Sequence, residues 1–168
     1  MTWPREVTAE LEAFYGKFQL AANGKPTATW EAINLITFVA PYPLTLSWDT
    51  SKVAKRVTCH RKVAVSLKRI LQNILAHYGS VTEVKQARMH LYGGCYEFRN
   101  IGGSHELSVH SYGAAIDLDP KNNERGVPFK PGVGMMPQAV VAIFKAEGWK
   151  WGGNFSTIPD CMHFQATL

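Results

Sequence analysis

Three segments of the chain place apolar residues at the three- and four-residue spacing of an amphipathic helix. They run from about Val7 to Phe18, from about Arg61 to Tyr78 and from about Pro137 to Glu147. The stripe of the second segment is the longest and contains Val63, Leu67, Ile70, Leu71, Ile74, Leu75 and Tyr78. Gly79 and Gly148 follow the second and third segments, where glycine commonly ends a helix. We therefore predict three helices.

Short segments with apolar and β-branched or aromatic residues lie between and after these helices. The predicted strands are Val84 to Leu91, Tyr96 to Arg99, Ala114 to Asp119, Trp149 to Trp151 and His163 to Thr167. Helices precede or interrupt this run of short strands, which is typical of the α+β class. We expect a small, mostly antiparallel sheet flanked by helices.

Composition indicates one compact domain. The chain has 168 residues, of which 46% are hydrophobic and 18% are charged. This length is close to that of one domain and is sufficient to bury a core. The sequence has no internal repeat, no low-complexity tract and no long linker. We expect residues 1–168 to form a single domain.

No segment has the pattern of a membrane span or a signal peptide. Met1 to Val7 lacks the basic start and apolar core of a secretory signal. The most apolar segment, around Leu35 to Leu46, is interrupted by Pro41 and Pro43 and is too short to cross a bilayer. We expect a soluble protein, made in the cytoplasm without an export signal, that does not insert into membranes.

The formal net charge is +5, which favours a polyanionic partner such as nucleic acid or a bacterial envelope polymer. The basic residues concentrate in one region and include Lys52, Lys55, Arg56, Arg61, Lys62, Lys68 and Arg69. Either a solvated helix face or a binding patch accounts for this cluster. No zinc-finger, RNA-recognition or helix-turn-helix signature is present, so we do not expect a nucleic-acid partner.

The segment Ser108 to Asp117 places His110 and Asp117 seven residues apart. Residues an odd number apart on an uninterrupted strand point to opposite faces, so these two could not share a metal there. Gly113 lies between them and can adopt backbone angles that would break the strand. Beyond Gly113, polar and apolar residues alternate, which predicts a strand with Asp117 on one face.

A second polar motif, Asp160-Cys161-Met162-His163, lies near the end of the sequence. Together with His110 and Asp117, His163 would complete a set of two histidines and one aspartate. Catalytic zinc has three protein ligands of this kind and one open position. Asp160 would then remain beside the metal as a proton carrier. The residues alone therefore indicate a zinc hydrolase, and the alternative is a half-buried hairpin on which His110 and Asp117 only contact solvent.

The combined pattern, Ser-x-His-x-x-Gly-x-Ala-x-Asp followed by Asp-x-x-His, resembles a known family. This is the zinc D-alanyl-D-alanine carboxypeptidase and L-alanyl-D-glutamate endopeptidase family of peptidoglycan hydrolases. The stretches Phe14 to Gly16, Gly93 to Arg99 and Phe144 to Gly153 are similar to its phage-encoded branch. The resemblance covers most of the chain and implies a Hedgehog/DD-peptidase-like fold.

The resemblance also implies roles for individual residues. His110, Asp117 and His163 match the zinc ligands, and Asp160 matches the catalytic carboxylate, which is glutamate in many carboxypeptidase members. Arg99 is similar to an arginine that stabilises the substrate or the developing oxyanion, although it follows a phenylalanine where many relatives have a tyrosine.

Three further residues are candidates for substrate contacts. Ser108 matches the motif serine, with a role beside the ligands or against the substrate. Tyr112 belongs to the same motif, and Trp151 would line one wall of the cleft. Core packing explains Trp151 and the nearby Trp149 equally well.

Other residue types permit alternative sites. Cys161 lies close to His163 in sequence, so a cysteine peptidase is one alternative. A small buried residue is the other interpretation, and Cys59 and Cys95 complete an odd set of three that we expect to be reduced. The remaining histidines, which we expect to be ordinary surface or core residues, are His60, His77, His90 and His105.

The expected substrate is the stem peptide of peptidoglycan. The aspartate at position 160 favours a phage-type endolysin that cuts the L-Ala–D-Glu bond and reaches the cell wall after release from the host. A carboxypeptidase or dipeptidase acting on D-Ala–D-Ala is the alternative, and a zinc module that only binds is a third. We expect the protein to act as a monomer.

Overall fold

The computed structural model describes residues 2–168. Its helices are α1 (Thr8–Tyr15), α2 (Ala28–Asn34), α3 (Ala64–Tyr78), α4 (Val81–Gln86) and α5 (Gln138–Ala146). Its strands are β1 (Leu35–Leu46), β2 (Asp49–His60), β3 (Leu91–Gly94), β4 (Ala115–Leu118), β5 (Lys150–Trp151) and β6 (His163–Gln165). Three short 3-10 turns cover Val109–Tyr112, Pro120–Asn122 and Gly152–Asn154.

The six strands form one mixed sheet in the order β2-β1-β3-β4-β6-β5. Only the β1–β3 pairing is parallel, and the other four pairings are antiparallel. Helices flank this sheet within a single domain. The predicted α+β class and mostly antiparallel sheet are confirmed. Within residues 2–168, none of the helices has the length and apolar character needed to cross a membrane.

The three predicted helices are present as α1, α3 and α5. In α3 the buried apolar residues all belong to the predicted stripe, and they are Leu67, Ile70, Leu71 and Ile74. The helix ends at Gly79, whose φ of 79° is the left-handed conformation that favours glycine. The 3.6-residue spacing of apolar residues was sufficient to predict these helices, because each of them buries only one face.

Three of the predicted strands are present as β4, β5 and β6, and two are wrong. The segment Val84 to Leu91 begins inside α4, which Ser80 caps by accepting a hydrogen bond from the Glu83 amide at 3.2 Å. The segment Tyr96 to Arg99 is in no strand. It instead hydrogen-bonds to the loop that carries His110, since the Glu97 amide donates to the His110 carbonyl at 3.1 Å.

A long β1–β2 hairpin was not predicted, because prolines interrupt its first strand. The register between these strands shifts between Val39 and Leu44, and Pro41 and Pro43 lie in that irregularity. The basic residues Lys52, Lys55 and Arg56 lie exposed on β2, and not on a helix face. Since β2 is an edge strand of the sheet, its lysines also disfavour edge-to-edge pairing with another chain.

The core joins α1 to the last strand through Tyr15. Its side chain is fully buried, and its hydroxyl donates to the carbonyl of Ala166 at 2.5 Å. The carbonyl of Tyr15 is 2.8 Å from Nε2 of His60, which is also buried. These contacts hold β6 in place relative to α1, and β6 carries His163.

Gly113 separates the turn that carries His110 from strand β4. It adopts φ +67°, the left-handed conformation that side chains rarely tolerate. A Cβ at this position would lie 2.8 Å from the backbone nitrogen of His60. The break predicted from the sequence is therefore present, and both conformation and space require glycine.

Replacing Gly113 should destabilise the protein more than replacing a glycine in open space. We expect Gly113→Ala to lower the free energy of unfolding by about 2–3 kcal/mol, because left-handed strain and a backbone clash act together. Gly79→Ala is the matched control: its φ is +79° with no atom within 4 Å of the new Cβ, and it should cost about 1 kcal/mol. Urea denaturation measures both. Equal losses would show that the close approach to His60 is unimportant.

Candidate metal centre

Three separate backbone elements bring the predicted ligands together. His110 lies on the 3-10 turn Val109–Tyr112, Asp117 on β4 and His163 on β6. Asp117 and His163 are direct cross-strand partners in the antiparallel β4–β6 pair, so their side chains share one face of the sheet. The turn before Gly113 then brings His110 over that pair.

The facing atoms of these side chains form a tight triangle. Nε2 of His110 is 3.1 Å from Nδ1 of His163, and Oδ1 of Asp117 lies 3.2 Å and 3.0 Å from those nitrogens. All three residues are at least nine-tenths buried. Ligands about 2.0–2.1 Å from a tetrahedral zinc lie about 3.3 Å from one another, so this spacing is close to that of a zinc site.

Hydrogen bonds outside the triangle determine which ring nitrogens carry hydrogen. Nδ1 of His110 is 2.9 Å from the carbonyl of Cys95, and Nε2 of His163 is 2.8 Å from Oε1 of Gln165. A carbonyl oxygen can only accept, so both of these nitrogens donate. The nitrogens that face Asp117 are therefore left with lone pairs.

Two nitrogen lone pairs and one carboxylate oxygen thus converge on one point. Without a positive charge between them these groups repel one another, and a cation removes that cost. The two imidazoles and the carboxylate are the donor types that zinc prefers. Within residues 2–168 this is the one group of three histidine, cysteine or acidic side chains with metal-ligand spacing. The residues present fit a zinc ion.

The same proximity shifts the pKa values of the ligands. Burial raises the pKa of Asp117, but the adjacent imidazoles outweigh it and hold that pKa below its ordinary value. Burial lowers the pKa of His163, but Asp117 outweighs it and the pKa is raised. A proton therefore competes with a metal for this position, and metal binding should weaken as the pH falls.

Asp160 lies next to the triangle but outside it. Its Oδ1 is buried and has no hydrogen-bond partner among the described residues, and its Oδ2 lies 3.9 Å from Nε of Arg125. Burial raises the pKa of this carboxyl above its ordinary value, although His163 opposes the shift. A raised pKa makes a carboxylate a stronger base, which suits it to accept a proton from an attacking water.

Gly152 allows the Asp160 backbone to approach closely. The Asp160 amide donates to the Gly152 carbonyl at 2.9 Å, and a Cβ on Gly152 would lie 2.5 Å from the Asp160 carbonyl oxygen. The Asp160 carbonyl in turn accepts from the His163 amide at 3.1 Å. These backbone hydrogen bonds fix the position of Asp160 relative to His163 in the Asp160-Cys161-Met162-His163 motif.

A cleft of about 470 Å³ opens beside Asp160 and His163. Its charged lining residues are Glu6, Arg99, Arg125, Lys150 and Asp160. Its apolar lining residues include Ile101, Phe155 and Ile158. Positive side chains outnumber negative ones, so the cleft favours a substrate with carboxylate groups.

Two of the predicted substrate or oxyanion residues line this cleft. Arg99 is exposed and lies at the rim, where its Nε donates to Glu97 Oε2 at 3.0 Å. Ser108 is mostly buried, and its hydroxyl accepts from the His110 amide at 3.3 Å. Ser108 therefore shapes the turn that carries His110 as well as bordering the cleft.

Tyr112 and Trp151, also predicted to contact substrate, lie in the core and do not border the cleft. Tyr112 is 1% exposed and packs against Tyr15 and Phe18. Trp151 is 4% exposed, and its indole nitrogen donates to the Cys161 carbonyl at 2.9 Å. The motif tyrosine is next to a ligand in sequence, but the turn directs it inward. Their placement gives no support to a binding role.

Cys161 has none of the properties of a nucleophile. It is fully buried, does not line the cleft, and has its Sγ 3.8 Å from the Val127 carbonyl. Burial raises the pKa of its thiol, so the thiol stays protonated at neutral pH.

The remaining histidines lie outside the metal group, as expected for ordinary surface or core residues. His60 is one of them, and burial lowers its pKa to about 4.

Sequence reasoning missed Arg125, Gln165 and Glu6, which all border the cleft. Gln165 follows His163 by two residues on β6, so their side chains share a face, and this spacing was a usable signal. Arg125 lies in a loop and Glu6 near the start of the chain, where no spacing rule connects them to the ligands.

Comparison with known proteins supports the family that the motifs indicated. Residues 102–166 match the sequence model of a family described as D-alanyl-D-alanine carboxypeptidase. The matched segment contains His110, Asp117, Asp160 and His163. No solved structure matches the chain significantly.

We expect the protein to bind one zinc ion per chain. His163→Ala should weaken zinc binding by more than the roughly 10–100-fold that loss of an outer partner costs, because it removes a ligand. His77→Ala, which alters an exposed histidine on α3, is the control and should bind like the unaltered chain. Chelator competition and elemental analysis measure the affinity and stoichiometry. Unchanged affinity in His163→Ala would disprove the assigned site.

Proposed function

Since the sequence resembles the zinc peptidoglycan peptidases and residues 102–166 match the D-alanyl-D-alanine carboxypeptidase family, we propose that this protein is a zinc peptidase acting on the peptidoglycan stem peptide. One observation carries the proposal: three lone-pair donors converge beside Asp160, whose Oδ1 is buried without a hydrogen-bond partner among the described residues. This arrangement lies against a cleft large enough for a short peptide.

His110, Asp117 and His163 would hold the zinc ion. When bound there, zinc would lower the pKa of a water molecule from about 15.7 toward neutrality. Asp160 accepts a proton from the attacking water and returns it to the leaving amine. Its raised pKa makes it a stronger base toward the water, and the far more basic leaving amine can still take the proton from it.

The two arginines of the cleft supply positive charge where negative charge develops. Arg99 was expected in this role, and Nε of Arg125 lies 3.9 Å from Oδ2 of Asp160, the proposed proton carrier. Either guanidinium can stabilise an anionic carbonyl oxygen or receive a substrate carboxylate. A site designed only to bind zinc would not need a proton carrier in a cleft, so we favour an enzyme over a binding module.

We propose that the bond cut is L-Ala–D-Glu, in the manner of a phage-type endolysin. The proposal rests on the aspartate at position 160, by resemblance to the endopeptidase branch. The exposed lysines of β2 and the net charge of +5 also favour attachment to an anionic cell wall.

The description of the matching family favours a second candidate, a carboxypeptidase that removes D-Ala from D-Ala–D-Ala. Both substrates have a carboxylate near the scissile bond, so the arginines of the cleft suit either one. The difference between the candidates lies in which bond reaches Asp160, and product analysis separates them.

The proton carrier is tested by Asp160→Asn. We expect this variant to keep its zinc content and to lose about two to four orders of magnitude in hydrolysis rate, the usual contribution of a general acid–base group. Asp49→Asn, on the β1–β2 hairpin, is a matched control that should retain full activity. Loss of bound metal in Asp160→Asn would show that Asp160 is a ligand and that its assigned role is wrong.

The bond that is cut is tested by mass spectrometry of digested peptidoglycan. The endopeptidase should produce new N-terminal D-Glu and stems shortened to L-Ala. The Asp160→Asn variant, incubated in parallel, should give neither product. Release of free D-Ala with the L-Ala–D-Glu bond intact would instead establish the carboxypeptidase.

A further inference from the structure

Glu6 precedes α1 in sequence and contacts Gln165, whose side chain hydrogen-bonds to His163, a proposed metal ligand. Its Oε2 accepts a hydrogen bond from Nε2 of Gln165 at 2.7 Å and lies 3.3 Å from Nζ of Lys150. Lys150 and Gln165 are cross-strand partners on β5 and β6. The first residues of the described chain are therefore tied to the strand that carries His163.

The side chain of Gln165 has two chemically different ends, and the structure uses both. Its Oε1 is 2.8 Å from Nε2 of His163, and its Nε2 is 2.7 Å from both Glu6 Oε2 and Thr167 Oγ1. A hydroxyl such as that of Thr167 can donate or accept, so it does not select an orientation of the amide. The carboxylate of Glu6 can only accept a hydrogen bond, so it selects the orientation in which the Gln165 amide nitrogen faces Glu6.

A reversed Gln165 amide would disable the metal site. The amide nitrogen would then face Nε2 of His163, which would have to become an acceptor. The ring proton would move to Nδ1, the nitrogen that faces His110 and Asp117. That nitrogen would no longer have a lone pair for a metal.

We propose that Glu6 is a positioning residue that sets the tautomer of His163 by fixing the orientation of Gln165. The inference rests on the proposed zinc site. The burial pattern permits a clean test, because Gln165 is 1% exposed whereas the Glu6 side chain is 31% exposed. Glu6 can therefore be replaced without opening the core.

The test is zinc affinity in a double-mutant cycle of Glu6→Ala and Gln165→Glu, measured by chelator competition. Glu6→Ala alone should weaken zinc binding about tenfold, at the lower end of the range for outer partners. In the Gln165→Glu background the same change should cause no loss, because a carboxylate presents oxygen to His163 in either orientation. Removing Glu6 there also relieves repulsion between two carboxylates.

Two further variants act as controls. Glu10→Ala removes a nearby glutamate that pairs with Arg5, away from the cleft, and should leave zinc affinity unchanged. Glu6→Gln keeps a carbonyl oxygen for Gln165 and should lose less affinity than Glu6→Ala. In nitrogen-15 NMR spectra of the zinc-loaded protein, Nε2 of His163 should carry the proton.

Some outcomes would overturn the inference. One is a Glu6→Ala protein that binds zinc as tightly as the unaltered chain. Another is an equal loss in both backgrounds, which would show that Glu6 acts through charge or fold and not through the amide. If the unaltered chain bound no zinc, the proposed metal site would be wrong, and this inference would be wrong with it.

Discussion

The pairing of β4 with β6 is the constraint on which the site depends. It places Asp117 directly opposite His163, and every other feature of the centre is arranged around that pair. An antiparallel register fixes side-chain separation more tightly than a loop can, because backbone hydrogen bonds on both sides oppose any slip. Since a slip by one residue would direct Asp117 to the other face, the chemistry and the sheet register depend on each other.

Outer contacts then convert a cluster of polar side chains into a site with defined chemistry. The carbonyl oxygen of Cys95 accepts a hydrogen bond from Nδ1 of His110, and Oε1 of Gln165 accepts one from Nε2 of His163. The other nitrogen of each ring therefore keeps a lone pair that faces Asp117. Burial makes this arrangement costly for an unoccupied site and favourable for a cation. The same burial raises the pKa of Asp160, so one physical effect supports both the proposed metal site and the proposed proton carrier.

The parts of the structure predicted from sequence were those governed by local rules. Helices α1, α3 and α5 follow from one-sided periodicity, and Gly113 follows from the need to break a strand between His110 and Asp117. The hairpin was missed because Pro41 and Pro43 weaken a strand pattern that an irregular register accommodates. Tyr112 was predicted to contact substrate because it lies near His110 in sequence, but sequence spacing does not reveal that the turn directs its side chain into the core. Arg125 and Glu6 reach the cleft only through tertiary packing.

The position of β6 in the sheet has a consequence for synthesis of the protein. It is the last strand in sequence among the described residues, yet it lies between β4 and β5. Until residue 165 has left the ribosome, β4 lacks its neighbour on one edge and His163 has not joined its partners. The nascent polypeptide therefore exposes an unpaired edge and cannot assemble its candidate metal site, so folding of this region must follow translation of β6.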